Sequence, residues 1–562
     1  MTDASETAVT ANPAKEMPVK ETKAQRAERL KLEKNPWEAW DEVRRFAAEG
    51  RASVLPEWAG LYFKWWGIYT QGDGAGVTGG KGGEGVTTDY FMMRIAVPNG
   101  ILNVRQLRAI GELTVEHARD LADITTRQAI QLHWLTIDAL PKVVDAIEAV
   151  GLSPRGACGD VVRNVTGCSL AGLHAQEIAD ASPLARALAR ELNGNPAFFN
   201  LPRKFKITVT GCPAWCSYPE INDLAFTAVR RGTGETGYSV RVGGGLSKEP
   251  HLAVKLDAFL REDEVVPVAR AVAELFRRQQ GLRQSRDRAR LKYLFLAEGW
   301  TAERFLAEVE SILGYKLEPG VPDEVPEDVF RDHSGVQAQR QAGFYAVGAS
   351  VMNGRLSGRT LLALADVVEQ YAGGELRTTP NQNFVIPHVP ERHLREVLDA
   401  LGRLGLYVDA KPFWRGTVAC TGTEFCKLAI TETKGFARWL AEEMDARLPG
   451  LDQPLKLHVT GCPNNCGQAW IGDIGLEGKK IKHEGKLVDA WYFALGGALG
   501  QHAGFARQVN FRCRSEEVPD ALEQLLRRYL AERGAGENLR AWFARHSTEE
   551  LRAKLEGVAA TA

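Results

Sequence analysis

The chain has 562 residues, which is too long for one hydrophobic core, so we expect several domains. Hydrophobic residues make up 44% of the sequence and charged residues 25%, proportions typical of globular proteins. The formal net charge of −1 lacks the basic excess of a nucleic-acid-binding protein, and no apolar run is long enough to cross a bilayer. Nine cysteines in so long a chain do not indicate a disulfide scaffold, so clustered cysteines point to metal or cofactor binding.

The N-terminal residues 1–34 are polar, mixed in charge and without the apolar stretch of a secretory signal. We therefore predict a disordered lead-in and a cytoplasmic protein. Asn35-Pro36 predicts a helix start, and Trp37, Trp40, Val43 and Phe46 have the spacing of one amphipathic helix. The aromatic segment 61–69 is expected to pack under something large or flat.

A glycine-dense loop at residues 72–85 contains the pattern G-x-G-x-x-G. No convincing strand precedes it and more glycine follows, so the sequence context argues against a dinucleotide site. We predict a flexible loop that covers a cavity.

An internal repeat spans the chain. A strand at 91–97, a helix at 103–118, a strand at 129–136 and a helix at 141–150 are predicted from periodicity. The same order recurs from a strand at 344–351 to a helix at 390–404, and the V-T-G-C-P motif at 209–213 returns 250 residues later at 459–463. Two α+β copies about a pseudo-twofold axis would share a large interface, where cofactor sites form readily.

Four cysteines fall in two close pairs within loops rich in Gly, Thr, Pro and Asn. The motif A-C-T-G-x-x-F-C carries Cys420 and Cys426, and T-G-C-P-N-x-C carries Cys462 and Cys466. Four convergent thiolates can hold either a tetrahedral zinc ion or a four-iron cluster. The C-x5-C and C-x3-C spacings suit zinc knuckles poorly, which favours an iron–sulfur cluster.

Cationic residues distinguish the first copy from the second. Arg94 stands where the second copy has Gly348, and Arg163 lies in the neighbourhood that corresponds to the cysteines. Lys204 and Lys206 alternate on a predicted strand, so both side chains point to one face. Two ammonium groups on one face repel unless an anion lies between them, and together with the arginines they predict an anion site.

The two cysteine motifs resemble those of the assimilatory sulfite and nitrite reductases, which carry sirohaem coupled to a 4Fe-4S cluster. The resemblance covers nearly the whole chain, from about the Trp65-Trp66 region onward. It implies that Cys420, Cys426, Cys462 and Cys466 bind the cluster and that Cys466 bridges it to the sirohaem iron. It implies four cationic residues facing the substrate, at Arg94, Arg163, Lys204 and Lys206. The residues that it implies near the sirohaem or its carboxylates are Arg127, Gln131, His133, Asn381, Gln382 and Asn383.

The fold that the resemblance implies is α+β, with duplicated ferredoxin-like half-domains and two sirohaem/iron–sulfur α+β domains related by a pseudo-twofold axis. We place a disordered lead-in at 1–34, the first ferredoxin-like half at 35–155 and the second at 336–408. The anion-site domain is placed at 156–335 and the cluster domain at 409–562. No flavin or nicotinamide module is evident, so the resemblance implies ferredoxin as the electron donor, and we expect a monomer.

Two substrates stay open, sulfite and nitrite. Plant-type nitrite reductases typically have Asn at the position of Lys206, whereas this chain has Lys, as sulfite reductases do; this favours sulfite. Tyr69 and Cys158 resemble a pair that flanks the distal haem face in bacterial sulfite-reducing members, although an aromatic core residue and an idle thiol fit the sequence equally well. A non-catalytic iron–sulfur carrier would explain the cysteines but not the cations.

Other clusters receive simpler interpretations. Cys212 and Cys216 match the second cysteine pair but lack a C-x5-C partner, so we interpret them as free thiols left from the duplication. Histidines are few and scattered, which disfavours a histidine-bound zinc or haem. The arginine-dense segment 276–293 is interpreted as a solvated helix face, with a surface for an acidic partner or for sirohaem carboxylates as the alternative.

Overall fold

A computed structural model describes residues 21–71, 89–232, 234–327 and 332–556. The glycine-dense loop 72–85 lies outside these residues. The α-helices are Lys23–Glu33, Trp40–Glu49, Pro56–Gly60, Val104–His117, Ala139–Ala149, Ser182–Leu192, Glu262–Arg278, Tyr293–Leu296, Ala302–Leu313, Gly358–Tyr371, Leu394–Arg403, Pro412–Gly416, Lys434–Arg447, Val518–Glu532, Leu539–Ala544 and Thr548–Glu556. None of the helices in these ranges is both long enough and apolar enough to span a bilayer.

Two five-stranded antiparallel sheets form the ferredoxin-like halves. In spatial order, the strands of the first sheet are Ile68–Thr70, Phe91–Ile95, Ile130–Leu135, Ala122–Ile124 and Arg355–Leu356. The strands of the second are Gly335–Ala338, Phe344–Ala349, Phe384–Pro390, Glu375–Thr378 and Ile101–Asn103.

The two halves exchange an edge strand. Arg355–Leu356 pairs with Ala122–Ile124 of the first half, and Ile101–Asn103 pairs with Glu375–Thr378 of the second. The helices that follow the exchanged strands cross at Gly111 and Gly358, where a Cβ atom on Gly358 would lie 2.7 Å from the Gly111 carbonyl oxygen. Neither sheet is therefore complete without the other half, so the two halves form one interlocked unit.

Two further sheets carry the sites. In spatial order, the strands of the third sheet are Val254–Leu260, Glu235–Val242, Leu224–Arg231, Ile207–Thr210 and Thr166–Gly167. Those of the fourth are Thr417–Ala419, Leu457–Thr460, Ile474–His483, Lys486–Leu495 and Arg507–Arg514. Each sheet has three parallel strands continued by antiparallel ones. Parallel strands end at the same edge, which gathers the loops that follow them.

The repeat is confirmed down to single backbone angles. Asn99 and Asn353 have φ values of 56° and 55°, and Gln128 and Gln382 have 58° and 63°. The left-handed region is uncommon for residues other than glycine, so its recurrence at paired positions reflects the same turn in both copies. The α+β fold with two ferredoxin-like halves is confirmed.

The predicted disordered lead-in is wrong over its described part. Lys23–Glu33 is a helix, begun by a capping box between Thr22 and Gln25. Ala24, Ala27 and Leu30 recur every third residue and are buried on one face. The mixed charge obscured this short apolar stripe.

Two other predicted elements need correction. The single helix predicted from the spacing of Trp37 to Phe46 is divided at Ala39 into the 3-10 turn Pro36–Glu38 and the helix Trp40–Glu49. Lys204 and Lys206 precede the regular strand, which begins at Ile207, and Phe205 between them makes only an isolated bridge.

Candidate active site

The four predicted cluster cysteines lie at one edge of the fourth sheet. The parallel strands Thr417–Ala419 and Leu457–Thr460 are neighbours, so Cys420 and Cys462, which follow them directly or after one glycine, lie side by side. We call residues 420–426 and 460–467 the cluster loops. The Gly461 N–H donates to the Cys420 sulfur at 3.2 Å, as backbone donors do around metal-bound thiolates.

All four sulfurs are close enough to interact electrostatically. Among these four sulfurs, no three lie within 4.8 Å of one another, a wider arrangement than the sulfurs around a single tetrahedral zinc ion. Burial raises the pKa of Cys426 to about 12, so this thiol ionises only when a cation compensates. Cys466 alone is exposed. The four sulfurs are therefore spaced for a metal cluster and not for a single ion, and the exposed Cys466 sulfur could also contact a second cofactor.

Five basic residues beside the cluster loops are close enough to interact electrostatically with one another, and we call the region between them the cationic cavity. Its residues are Arg94, Arg127, Arg163, Lys204 and Lys206. Arg94 and Lys204 both interact electrostatically with Cys466, which links the cavity to the cluster loops. Within the described ranges none of the five forms a salt bridge. Five basic side chains without a carboxylate partner favour an anionic occupant, which would stabilise their charged forms.

Neutral groups hold the arginines in place. Arg94 donates from Nε to the Gln131 Oε1 atom at 3.0 Å, and Arg163 donates to the Gly159 carbonyl at 2.7 Å. Arg127 donates to the Asn222 Oδ1 atom and to the Asn164 carbonyl, each at 2.7 Å. Because these partners carry no charge, the guanidiniums keep their full charge for a ligand.

The lysines have strongly altered acidity. Burial, together with Arg290 nearby, lowers the pKa of Lys204 to about 7. Burial, together with Arg127 and Lys204, lowers the pKa of Lys206 well below its ordinary value. A lysine with a pKa near neutrality can both carry charge and give up a proton.

Asp223 explains why Lys206 has no carboxylate partner. Asp223 accepts from the Lys206 backbone N–H at 2.9 Å, but its carboxylate is paired with Arg290 at 2.7 Å. In the second copy Asp473 accepts from the Lys456 N–H at 2.7 Å, and the Lys456 ammonium lies 3.6 Å from that carboxylate. Arg290 thus takes the counter-ion that the repeat would give Lys206.

A cleft beside the cavity joins both halves of the chain. Its lining residues are Thr126, Arg127, Thr166, Lys206, Ser217, Tyr218, Ile221, Asn222, Pro380 and Gln468. In the described part of the chain, the buried Arg127 Nε and Ser217 Oγ atoms have no hydrogen-bond partner. Unmet donors on the wall of a cleft indicate a missing polar ligand, which fits a cofactor rich in carboxylates.

Of the residues predicted near the sirohaem, some lie at the cleft and others hold neighbouring residues of the site in place. Arg127 lines the cleft, and Asn381 accepts a hydrogen bond from the cleft residue Tyr218 at 2.9 Å. Gln131 orients Arg94. Gln382 accepts from the Ala419 N–H beside Cys420 and donates to the Ile124 carbonyl, so both its polar atoms have backbone partners.

The remaining two predicted residues make contacts of their own. Asn383 accepts from the Val351 N–H at 2.8 Å. His133 is buried, lies 3.1 Å from Asp123, and stacks on Phe425 with ring centroids 4.1 Å apart. His133 therefore supports the cluster loop.

Tyr69 and Cys158 are neighbours, the arrangement that the resemblance implies. Their side chains are hydrogen-bonding neighbours, and Arg94 Nη1 is 2.9 Å from the Cys158 sulfur. Burial, together with the Cys158 sulfur, raises the pKa of Tyr69. The pair stands at the rim of the cationic cavity.

The arginine-dense segment 276–293 fits the predicted solvated helix face only at its start. Arg277 and Arg278 are exposed and pair with Glu274. Arg286 and Arg290 turn inward and pair with the buried carboxylates of Asp160 and Asp223. Sequence reasoning missed both acids, although Asp223 recurs 250 residues later as Asp473.

Comparisons with known proteins agree with this geometry. The family model described as nitrite and sulphite reductase 4Fe-4S domain matches residues 158–317 and 410–561. The model described as nitrite/sulfite reductase ferredoxin-like half domain matches residues 84–150 and 337–404.

Individual relatives carry two kinds of name. A sulfite reductase (ferredoxin) 2 of Mycolicibacterium paratuberculosis is 38% identical, covering 87% of this chain and 89% of the relative. A ferredoxin–nitrite reductase of Synechococcus elongatus is 36% identical, covering 90% of this chain and 96% of the relative. The solved structure of the Mycobacterium tuberculosis NirA protein is 35% identical with a TM-score of 0.89, covering 94% of this chain and 97% of that one. The chain therefore belongs to the nitrite and sulfite reductase family, ferredoxin-dependent oxidoreductases whose cofactors are sirohaem and a 4Fe-4S cluster.

Proposed function

We propose that this protein reduces sulfite to sulfide, a six-electron reduction, with ferredoxin as donor. The observation that carries the choice of substrate is Lys206, whose ammonium stands in the cationic cavity while Arg290 occupies the nearby Asp223. Sulfite is a dianion that loses three oxygens, so it benefits from an additional positive charge and proton source more than nitrite does.

Each cavity residue has a distinct part in this proposal. Arg94 and Arg163 hold the oxyanion through planar, bidentate donors. Lys204, whose pKa burial lowers, supplies protons as oxygen leaves as water. Lys206 adds positive charge beside it.

The cofactors would be held by residues already described. Cys420, Cys426, Cys462 and Cys466 would bind the cluster, and Arg127 would pair with sirohaem carboxylates. When bound, the coupled cofactors supply single electrons to an iron centre that holds the substrate. The protein orients the anion, keeps charge balance and delivers protons.

Nitrite reduction is the alternative, because relatives named for either substrate are similarly close. A non-catalytic electron carrier would leave the five unpaired cations without a purpose. The two oxyanions differ in charge and in oxygen number, so a substitution that removes one positive charge discriminates between them.

The test compares sulfite and nitrite turnover by wild type and Lys206→Asn, with the exposed Lys248→Asn as the control. We expect wild-type kcat/KM to be higher for sulfite, and Lys206→Asn to reduce it about 10-fold or more with a smaller effect on nitrite, because a charged hydrogen bond contributes about 1.5–3 kcal/mol. Cofactor content is measured in every variant. A wild type that prefers nitrite would overturn the proposal.

A further inference from the structure

A second group of metal-binding side chains lies away from the cluster loops. The sulfurs of Cys168 and Cys216 and a ring nitrogen of His333 all lie within 4.8 Å of one another. The Cys168 sulfur is 3.8 Å from His333 Nε2. Cys212 is a hydrogen-bonding neighbour of Cys168 and interacts electrostatically with His333. It lies beside this group of three, and its sulfur is not within 4.8 Å of all three ligand atoms. The three cysteines are buried, and the proposed reaction does not use them.

The location is the counterpart of the cluster in the first copy. Gly167 pairs with Val209 as Ala419 pairs with Val459, which makes Cys168 the equivalent of Cys420. Cys212 and Cys216 correspond to Cys462 and Cys466 at the offset of 250 residues.

The turns within these loops also match. Trp215 and Asn465 have φ values of 50° and 56°, and Tyr218 and Gln468 have 55° and 63°. The loop that presents the last two cysteines is therefore the same structure in both copies.

The fourth ligand position differs. His174 stands six residues after Cys168, as Cys426 stands six residues after Cys420 in the cluster loop. The backbone N–H groups of His174 and Cys426 both donate to the carbonyl oxygen four residues earlier, so the two turns match. The ring that reaches the sulfurs is instead His333, from just before the strand Gly335–Ala338. The copy has thus lost the C-x5-C pair and gained a ligand from a distant part of the chain.

Space for His333 comes from a change at the position of the active-site arginine. Gly348 is the counterpart of Arg94, and a Cβ atom there would lie 1.8 Å from the His333 carbonyl oxygen. His333 has a φ of 58°, an uncommon backbone conformation for a residue with a side chain. Where the first copy has the Arg94 side chain, the second copy has Gly348, and the backbone of His333 lies against it.

The size of the group selects the occupant. Zinc bonds of about 2.0–2.3 Å place tetrahedral ligand atoms about 3.5–3.8 Å apart. The ligand atoms of Cys168, Cys216 and His333 lie within 4.8 Å of one another, with one pair at 3.8 Å, so they come closer to that size than any three sulfurs of the cluster loops. The Leu170 N–H donates to the Cys168 sulfur at 3.4 Å and the Ala214 N–H to the Cys212 sulfur at 3.5 Å. The apolar side chains of Leu170, Ala171, Leu173, Ala346 and Val385 surround the cysteines, and His333 is half-buried.

We propose that Cys168, Cys212, Cys216 and His333 bind one structural Zn²⁺ ion. The ion joins the third sheet to the second ferredoxin-like half, at an interface where Arg340 already pairs with Glu177 at 2.9 Å. Three thiolates and one imidazole complete a closed tetrahedral shell with no open position for chemistry.

Metal analysis of the holoenzyme, purified without added zinc or chelator, tests this. We expect one zinc per chain in wild type and in Cys513→Ala, a buried cysteine of the fourth sheet outside the group. Cys168→Ala and Cys216→Ala are expected to lose the zinc. Zinc K-edge absorption on wild type is expected to show sulfur at about 2.3 Å and nitrogen at about 2.0 Å, and it decides the matter even where a variant fails to fold.

Three results would overturn the proposal. They are a wild-type holoenzyme with less than about half a zinc per chain, iron instead of zinc bound by these residues, and zinc retained at full occupancy in both cysteine variants. The iron content of the wild-type protein is measured in the same samples, so that a loss of zinc is distinguished from a failure to load the catalytic cofactors.

Discussion

Arg355 Nε lies 3.0 Å from Asp123 Oδ1, across the strand exchanged between the ferredoxin-like halves. The same arginine reaches Glu424 of the cluster loop at 2.9 Å. Asp123 also pairs with Lys434 and hydrogen-bonds His133, which stacks on Phe425. One buried carboxylate therefore connects the interlocked halves to the loop that carries Cys426.

Replacing this carboxylate should loosen the cluster. In Asp123→Asn the buried Lys434 loses its counter-ion and the half-buried Arg355 keeps only Glu424. Breaking a buried pair costs about 3–5 kcal/mol. We expect a lower unfolding temperature and a reduced iron content after purification. Asp145→Asn, at an exposed pair with Arg44, is the matched control. Full iron content in Asp123→Asn would show that the carboxylate does not support the loop.

Acid should destabilise the protein through two buried acids. Burial alone would raise the pKa of Asp123 and of Asp160, but Lys434 and Arg355 around the first and Lys31 and Arg286 around the second hold both pKa values well below the usual range. Because these folded-state pKa values are depressed, their stabilising effect is present above the unfolded value of about 3.9 and is lost as pH falls below it.

Thermal unfolding between pH 3 and pH 7 measures this dependence. We expect the unfolding temperature of wild type to fall steeply below about pH 4. The unfolding temperature of Asp160→Asn should be lower at pH 7 and decrease less on acidification. An equally steep decline in the variant would contradict the role given to Asp160.

The N-terminal helix should support the anion site. Lys31 is 1% exposed, lies 3.0 Å from Asp160 and donates to the Leu201 carbonyl, next to the segment with Lys204. Lys31→Ala should cost about 1–3 kcal/mol and raise the KM for sulfite. Denaturant unfolding and steady-state kinetics measure both effects, with the exposed Lys23→Ala as control. A variant identical to wild type in both would refute this role.

Sirohaem binding should take up a proton. With a pKa of about 7, Lys204 is mostly neutral at pH 8 in the protein without cofactor, and carboxylates nearby favour its charged form. Calorimetry in buffers of different ionisation enthalpy should give an uptake of about one proton in wild type and less in Lys204→Met. Equal uptake in both would assign the proton to another group.

Much of the fold and of the candidate site could be predicted from local sequence patterns. The cysteine spacing, the repeat at 91–97 and 344–351, and the cationic residues around Arg94 were readable because each depends on short-range periodicity or on a distinctive motif. The exchanged strands Ile101–Asn103 and Arg355–Leu356 were not, since two or three residues carry no periodic signal and their pairing is decided by tertiary contacts. His333 was missed for a related reason, because it joins Cys168 from a distance of 165 residues.

We propose that the cationic cavity binds the substrate anion beside the cofactors that Cys466 would bind. Titrating the purified holoenzyme with sulfite, and following the visible bands of the sirohaem, measures that affinity directly. We expect saturable binding in wild type and in Lys248→Met, and affinity weakened at least about 10-fold in Arg163→Met, equivalent to about 1.4 kcal/mol. An unchanged affinity in Arg163→Met, with full cofactor content, would contradict it.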